Sequence, residues 1–353
     1  MKVDSSHDAI ISQRIKQFNE MLMTQEIEKT PIGLFNGLMG ICIYFYHQAH
    51  FYQEKRYRMF AGKLLDAIIN KLTNIMSIDL QNGLIGICFG LNYLMNNNFV
   101  RCNSNTILQE PEDKIYRDVY TVLNNNQLNS DAIQALLHVS FYFCLRLEDQ
   151  KLPLNERFLY QDLIMTCINQ IEIASFSDQY TEHFVFFPIS YFLPLYLIVL
   201  SKVYQLGFYN YRIEKIWDIL HETLLTTYPY LQCHRIFFAL SMKEANNFHK
   251  SVEWEKHITM LLNNSNLSYI IDSEFLNKNI LPHNGLTGFY YILRQYRCLT
   301  NSDKSHFARK IAQSVLWEKM PNTQNNVPFG LVSGLAGVIL AYQDCSNIEI
   351  TQV

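Results

Sequence analysis

The hydrophobic pattern of the chain alternates between two kinds of predicted helix. Residues 41–46 form a nearly continuous apolar run, whereas residues 54–74 place apolar side chains on one face and charged side chains on the other. A helix that is apolar all round is buried, and a helix with a single apolar stripe packs one face against a core. The pattern therefore predicts pairs of an inner, buried helix and an outer, amphipathic helix.

The same pair recurs along the whole chain. The predicted inner segments begin at Gly37 and Gly83, span 131–145, 184–200 and 231–240, and begin again at Gly285 and Gly334, the last ending near Tyr342. The predicted outer helices span 54–74, 111–123 with Pro111 in the first turn, 155–173, 213–224, 251–262 and 308–316, and an amphipathic helix over 8–24 precedes them all. This regularity indicates an all-α chain of about seven helix-pair repeats.

Four of the inner segments open with the same short motif, Gly-Leu-x-Gly. Its copies are Gly37–Gly40, Gly83–Gly86, Gly285–Gly288 and Gly334–Gly337. The first glycines of the first two copies are 46 residues apart and those of the last two are 49 apart, so the repeat is about fifty residues long. Because glycine lets neighbouring backbones approach closely, the motif predicts crowded helix ends.

The repeats can close into a ring or extend as an open solenoid. A solenoid needs polar capping faces on its end repeats, but the last inner segment, GLAGVILAY, is as apolar as the middle ones. We therefore expect an α/α toroid with inner and outer helical rings. It would be a single domain over residues 1–353, with the helix 8–24 joining the outer ring and the Gly-Leu-x-Gly turns together at one end.

The composition narrows the class of protein. Hydrophobic residues make up 49% of the chain and charged residues 17%, which supports a large core and excludes a disordered chain. The net charge of −3, with no basic block, argues against a nucleic-acid partner. Eight scattered cysteines without a C-x-x-C pair, and a polar start with no signal peptide, indicate reduced thiols and a cytoplasmic protein.

Residues 184–200 form the most apolar segment. They carry no charge and contain Pro188 and Pro194. A membrane-spanning helix needs about 20 apolar residues, so a helix buried inside the protein is favoured over a membrane span.

Polar residues whose side chains could bind a metal or take part in catalysis stand where inner segments begin. Ser130-Asp131-Ala132-Ile133 opens the third, Gln232-Cys233-His234 the fifth, and His283-Asn284 precedes the Gly-Leu-x-Gly of the sixth. In a closed ring these side chains would face one central pocket, together with Gly285, Gly288, Gly334 and Gly337.

Repeats of this kind resemble the lanthionine synthetase C-like (LanC) cyclases, which close thioether rings by adding a cysteine thiolate to a dehydroalanine or dehydrobutyrine. Members hold zinc with the Cys of a Trp-Cys-x-Gly turn and the Cys-His pair of a Cys-His-Gly-x-x-Gly turn. The resemblance implies Cys233 and His283 as zinc ligands, with His234 as a candidate third. His283 stands where the family has Cys and Asn284 where it has His, so the match is partial.

The resemblance also implies catalytic residues. The family has an Asp in a Tyr-Asp-x-Ile-x-Gly turn, which matches Asp131 without the Tyr and Gly, and a His in a His-Gly-x-Pro-Gly turn, for which His183 is the nearest counterpart. A carboxylate there would position or protonate groups during the addition. Each residue has a structural alternative: Cys233 as a small core side chain, His283 as a turn residue, Asp131 as a helix N-cap and His183 as the polar end of an apolar helix.

Three functions follow from these observations. The first is a LanC-like cyclase that forms a (methyl)lanthionine in a ribosomal precursor peptide, with zinc as cofactor and a dehydratase as a possible partner. The second is a zinc-free relative that binds or scaffolds a peptide in a modification complex. The third, a glycosidase or terpenoid cyclase with the same architecture, predicts paired carboxylates at the inner-helix ends, where only Asp131 and Glu182 are found.

Overall fold

The computed structural model describes residues 5–24, 29–72, 77–123, 128–175, 187–276, 279–319 and 329–346. In chain order the helices are α1 (Ser5–Met23), α2 (Leu38–Tyr52), α3 (Lys55–Lys71), α4 (Leu84–Asn96), α5 (Ser104–Leu123), α6 (Ser130–Leu147), α7 (Leu154–Ser175), α8 (Phe192–Gln205), α9 (Asn210–Thr226), α10 (Gln232–His249), α11 (Val252–Asn263), α12 (Leu267–Tyr269), a π-helical turn (Ile270–Glu274), α13 (Leu286–Gln295), α14 (Asn301–Ala312), α15 (Leu316–Lys319) and α16 (Leu335–Cys345). These ranges contain helices and no strand, as the sequence predicts.

The chain divides into two compact units. Unit 1 comprises residues 1–101 and 267–353, and unit 2 comprises residues 102–266. Unit 1 therefore contains all four Gly-Leu-x-Gly motifs, whereas unit 2 contains the third, fourth and fifth inner segments. The expectation of one domain over residues 1–353 stays a prediction.

Inner and outer helices differ in burial as the hydrophobic pattern predicts. In unit 1, every residue from Leu38 to Tyr46 in α2 is buried. The neighbouring α3 buries only one face, formed by Tyr57, Phe60, Ala61, Leu64, Leu65 and Ile68. The same contrast separates α4, which is buried over most of its length, from the amphipathic α14. The free energy of burying these apolar faces holds each pair together.

The four Gly-Leu-x-Gly turns lie side by side at one end of unit 1. Backbone hydrogen bonds join neighbouring turns: Phe35 N donates to Gln81 O (3.1 Å), Val332 N to Phe35 O (3.3 Å), and His283 N to Val332 O (2.8 Å). A side chain on Gly40 would leave its Cβ 2.8 Å from the Cβ of Leu331 in the neighbouring turn, which is closer than real Cβ atoms come. The prediction of crowded helix ends is therefore confirmed for these four turns, and glycine is what permits the contact.

The start of α5 differs from the prediction. The helix begins at Ser104 rather than near Pro111, so Pro111 lies inside it instead of in its first turn. Proline cannot donate the backbone hydrogen bond of a helix interior. Leu108, Pro111 and Ile115 are all buried on the same face of α5, and this burial offsets the missing bond.

The apolar segment 184–200 is a helix only in part. Residues 184–186 lie outside the described part of the chain, Phe187 to Tyr191 form a turn in which Tyr191 N donates to Pro188 O (3.3 Å), and α8 begins at Phe192. This start places Pro194 in the first turn, where its missing N–H costs no hydrogen bond. Among the described helices, none combines the length and the apolar character that crossing a membrane requires.

The last outer helix of unit 1 is shorter than predicted. The apolar spacing of Ala308 to Leu316 predicts one helix, but α14 ends at Ala312 and a short α15 begins at Leu316. The Ile311 carbonyl accepts a backbone hydrogen bond from Ser314 N at 3.1 Å and a second bond from the indole N–H of Trp317 at 2.7 Å. These local bonds close the end of α14 although the apolar pattern continues.

In unit 2, a buried carboxylate ties three helices together. Glu112 on α5 accepts hydrogen bonds from Arg146 Nε (2.6 Å) and the Tyr142 hydroxyl on α6, and from the Tyr160 hydroxyl on α7 (2.6 Å). The side chains of Glu112 and Arg146 are 1% and 0% exposed. A buried charge needs such partners, so this network fixes how α5, α6 and α7 pack.

Candidate functional site

In unit 1, the candidate residues lie in the turn that precedes α13. The backbone of His283 bonds to the turn before α16, and its ring lies edge-on to Phe35 with the ring centroids 5.6 Å apart. The Nδ1 atom is buried, and the described residues give it no hydrogen-bond partner. Burial lowers the pKa of His283, so the imidazole is neutral at neutral pH and has a lone pair to offer. Asn284 is half-buried beside it.

In unit 2, Cys233 and His234 occupy the first turn of α10. Their exposed fractions are 1% and 3%, so both side chains are buried. The His234 ring lies 5.6 Å from the ring of Phe187 and 5.2 Å from that of Tyr191, measured between centroids. The turn before α8 and the start of α10 therefore enclose His234 between aromatic side chains.

Asp131 is exposed in the first turn of α6. It is not the N-cap, because Asn129 holds that position and its Oδ1 accepts a hydrogen bond from Ala132 N at 2.8 Å. The alternative interpretation of Asp131 as the N-cap is therefore wrong, because Asn129 occupies that position. A carboxylate at a helix N-terminus is still favoured by the helix dipole and remains open to solvent. His183 lies outside the described residues.

One position of the family's zinc motifs carries a residue that suits zinc poorly. Zinc prefers thiolate, imidazole and carboxylate donors, and a catalytic site uses three of them. In the described ranges, no three His, Cys, Asp or Glu side chains come together as a metal site would require. Asn284, which stands at the position of a family ligand, offers a carboxamide that binds zinc poorly. Cys233, His283 and His234 as zinc ligands stay a prediction.

The glycines predicted at the central pocket serve packing between turns. A Cβ on Gly337 would lie 1.9 Å from Leu331 O and 2.7 Å from Pro282 Cγ, in the turn before α13. Gly285 and Gly334 are the N-cap residues of α13 and α16, and Gly288 is buried in the first turn of α13. These glycines set the spacing of the helix ends on which His283 and Asn284 are held.

Sequence reasoning missed a polar cluster near the C-terminal ends of the inner helices of unit 1. His47 Nε2 and the Tyr93 hydroxyl are 2.7 Å apart, and Arg294 Nε donates to Asp344 Oδ2 at 2.8 Å. The Tyr290 hydroxyl also donates to Asp344. The sequence contained a signal for this pair. His47 and Tyr93 are polar residues in apolar helices, and their separation of 46 residues equals the spacing of the first two Gly-Leu-x-Gly motifs, so they occupy equivalent positions of two repeats.

The imidazole of His47 makes unit 1 sensitive to acid. Burial is the largest cause that lowers its pKa to about 4, followed by the charges of His50 and Arg294. Because the unfolded pKa is near 6.5, the unfolded chain binds the proton first, and stability falls as the pH drops from about 6.5 to about 4. We expect His47→Gln to reduce the loss of unfolding free energy between pH 7 and pH 5 by roughly 1 to 2 kcal/mol, measured by urea denaturation. An unchanged pH dependence would contradict this assignment.

Comparison with known proteins identifies the fold that the chain shares. The family described as "Lanthionine synthetase C-like protein" matches residues 28–181. The solved structure of a protein named "Nisin cyclase" superposes with a TM-score of 0.66 over 98% of this chain and 95% of that chain, at 13% sequence identity. No curated protein sequence matches the chain significantly. The structural match confirms the predicted α/α toroid fold.

Proposed function

We propose that this chain is a lanthionine synthetase C-like protein that binds a peptide as a zinc-free member of a peptide-modification complex, because that family matches residues 28–181 and the fold is that of a nisin cyclase. The observation that carries the proposal is the donor set at the family's metal positions. His283 and Asn284 replace a Cys-His pair, and Asn284 removes one ligand outright. The fold supports a peptide-binding role, while Asn284 leaves the family's zinc motif one donor short.

The turns of unit 1 support a role in binding. Polar side chains stand directly before the N-cap glycines: Asn36, Asn82, Asn284 and Ser333. A carboxamide both donates and accepts hydrogen bonds, which matches the N–H and C=O groups of an unfolded peptide. The backbone bonds between neighbouring turns hold these residues at one end of the unit. We therefore expect this chain to bind a flexible ribosomal peptide. A dehydratase would deliver that peptide or work in the same complex.

A second function, the thioether-forming cyclase, is favoured by Cys233 at the start of α10. Cys233 keeps the cysteine of the family's Trp-Cys-x-Gly turn, where a thiolate would hold the metal. In that reaction the thiolate sulfur of a substrate cysteine bonds to the β-carbon of a dehydroamino acid, and the α-carbon then takes up a proton. Asp131 would hold or supply that proton from its exposed position in the first turn of α6.

Metal content and thiol consumption separate the two functions. We expect the full-length protein, produced with zinc in the medium, to hold less than about 0.1 zinc per chain by mass spectrometry, unchanged by Cys233→Ala or His283→Ala. We also expect a synthetic peptide carrying one cysteine and one dehydrobutyrine to keep its thiol, which iodoacetamide then alkylates. About one zinc per chain, lost in both variants, together with disappearance of the free thiol, would replace our proposal with the cyclase.

Peptide binding is tested with the same probe. We expect the fluorescein-labelled peptide to show a saturable rise in anisotropy with wild-type protein, and the triple variant Asn36→Ala/Asn82→Ala/Asn284→Ala to bind at least about tenfold more weakly. Asn264→Ala in unit 2 is the matched control, because it removes an amide from a different helix end. Equal affinity of the triple variant and the wild type would refute the role of these turns.

A further inference from the structure

Near the C-terminal ends of the inner helices, unit 1 holds an arginine in a fixed orientation with an open edge. Arg294 stands in the last turn of α13, its side chain is 54% exposed, and its Nε donates to Asp344 Oδ2 at 2.8 Å. Asp344 also accepts from the Tyr290 hydroxyl, so the carboxylate is itself held in place. The terminal nitrogens of Arg294 have no hydrogen-bond partner among the described residues. The outer edge of the guanidinium is therefore oriented and available.

A tyrosine hydroxyl faces the same region. Tyr93 on α4 is 37% exposed, and its hydroxyl is 2.7 Å from His47 Nε2. With the ring proton on Nε2, His47 donates to the tyrosine oxygen and leaves the Tyr93 O–H free to donate elsewhere. Gln48, the residue after His47, donates to Gln343, the residue before Asp344, at 2.8 Å, so the His47–Tyr93 and Arg294–Asp344 pairs lie at the same end of neighbouring helices. Two donors of different helices thus stand together at the surface.

This location is distinct from the Gly-Leu-x-Gly turns. Arg294 follows Gly285 by nine residues and Tyr93 follows Gly83 by ten, so along helices that rise about 1.5 Å per residue both lie roughly 13 to 15 Å from those turns. The cluster uses none of Asp131, Cys233 or His283. Its test therefore stands or fails independently of the proposed function.

We propose that Arg294 and Tyr93 form a binding site for a carboxylate group. A guanidinium edge held by an acidic neighbour presents two parallel N–H donors, which match the two oxygens of a carboxylate, and the Tyr93 hydroxyl supplies a third donor. Asp344 and the helix C-termini reduce the positive potential, so the affinity for a small carboxylate is modest, with a dissociation constant of about 1 to 10 mM. The carboxylate belongs to the terminus of a peptide or to an acidic side chain.

The first test uses acetate with the full chain labelled with ¹⁵N-arginine. We expect one arginine Nε–H resonance, assigned through Arg294→Lys, to shift with acetate and to saturate, while sodium chloride at equal ionic strength leaves it unchanged. A shift that grows linearly without saturation, or that chloride reproduces, would overturn the proposal.

Variants show which donors bind. Tyr93→Phe is expected to raise the dissociation constant for acetate about five- to tenfold, because one hydrogen bond to a charged group is lost. Arg294→Lys keeps the positive charge opposite Asp344 but loses the two parallel N–H donors, so we expect it to bind acetate about tenfold more weakly. Because this variant has no Arg294 resonance, its binding is measured from the tyrosine resonances of a ¹³C-tyrosine-labelled sample. Arg58→Lys, at an exposed arginine of α3, is the control and should leave binding unchanged. Wild-type affinity in both Tyr93→Phe and Arg294→Lys would refute the site.

Three versions of one short synthetic peptide identify the source of the carboxylate. The first has a free C-terminus, the second is amidated, and the third is amidated but carries one Asp. Tighter binding of the first version indicates a chain terminus, and tighter binding of the third indicates an acidic side chain, either of which supports the proposal. Equal binding of all three peptides would show that no carboxylate is recognised, because the second peptide has none.

Discussion

Gly330→Ala is expected to lower the free energy of unfolding of unit 1 by about 3 kcal/mol or more, because the new methyl group meets backbone rather than a movable side chain. A Cβ at this position would lie 1.9 Å from Phe35 O and 2.6 Å from Asn36 Cα, in the neighbouring turn. The turns can accept it only by separating. Separation would break the hydrogen bond from Val332 N to Phe35 O. Urea denaturation followed by circular dichroism measures the loss.

Gly62→Ala is the matched control. Gly62 lies inside α3, and a Cβ built there has no heavy atom within 4 Å. Alanine in a helix interior is favoured over glycine by about 0.5 to 1 kcal/mol, so this variant should gain stability from the same chemical change. If Gly330→Ala were as stable as the wild type, the close approach of the two turns would be wrong.

Glu112→Ala is expected to destabilise unit 2 by about 3 kcal/mol, because it removes the close counter-charge of the buried Arg146 guanidinium and leaves only Asp149, at 3.4 Å. The Arg146 side chain is 0% exposed, so water cannot replace the lost carboxylate without opening the helices. The hydroxyls of Tyr142 and Tyr160 lose their acceptor in the same step. Thermal and urea unfolding both report the change.

Two controls show that burial causes this effect. Glu148→Ala breaks an ion pair with Lys202 whose side chains are 49% and 21% exposed, and should cost less than about 1 kcal/mol. The double variant Glu112→Leu/Arg146→Met removes both charges and should recover most of the stability lost in Glu112→Ala. Equal losses for Glu112→Ala and Glu148→Ala would refute the argument.

The sequence predicts the features of the fold that repeat. Four copies of Gly-Leu-x-Gly at regular spacing indicate turns that share one geometry, and the structure places those turns side by side. Helix type was predictable for the same reason, since α2 is apolar on all sides and α3 on one. Because the motif occurs four times, a substitution in one copy does not obscure the local structure that the other copies predict.

The features that were missed depend on burial, on the choice between two nearby residues, or on contacts between residues far apart in sequence. Pro111 lies inside α5 because its neighbours are buried, which no local preference reveals. Asn129, rather than Asp131, caps α6, although both residue types favour caps. Arg294 and Asp344 form a pair only because α13 and α16 are neighbours. The partners of the candidate zinc ligands likewise cannot be read from spacing alone.

The hydrogen bond between Val332 N and Phe35 O joins segments that are almost three hundred residues apart in sequence. Unit 2 is one continuous stretch, residues 102–266, whereas unit 1 is assembled from stretches on both sides of it. During synthesis on the ribosome, the first stretch of unit 1 must therefore wait for the second, with the apolar surfaces of α2 and α4 incompletely covered. The middle of the chain can fold first, and the earliest-made helices gain their last neighbours only when translation is nearly finished.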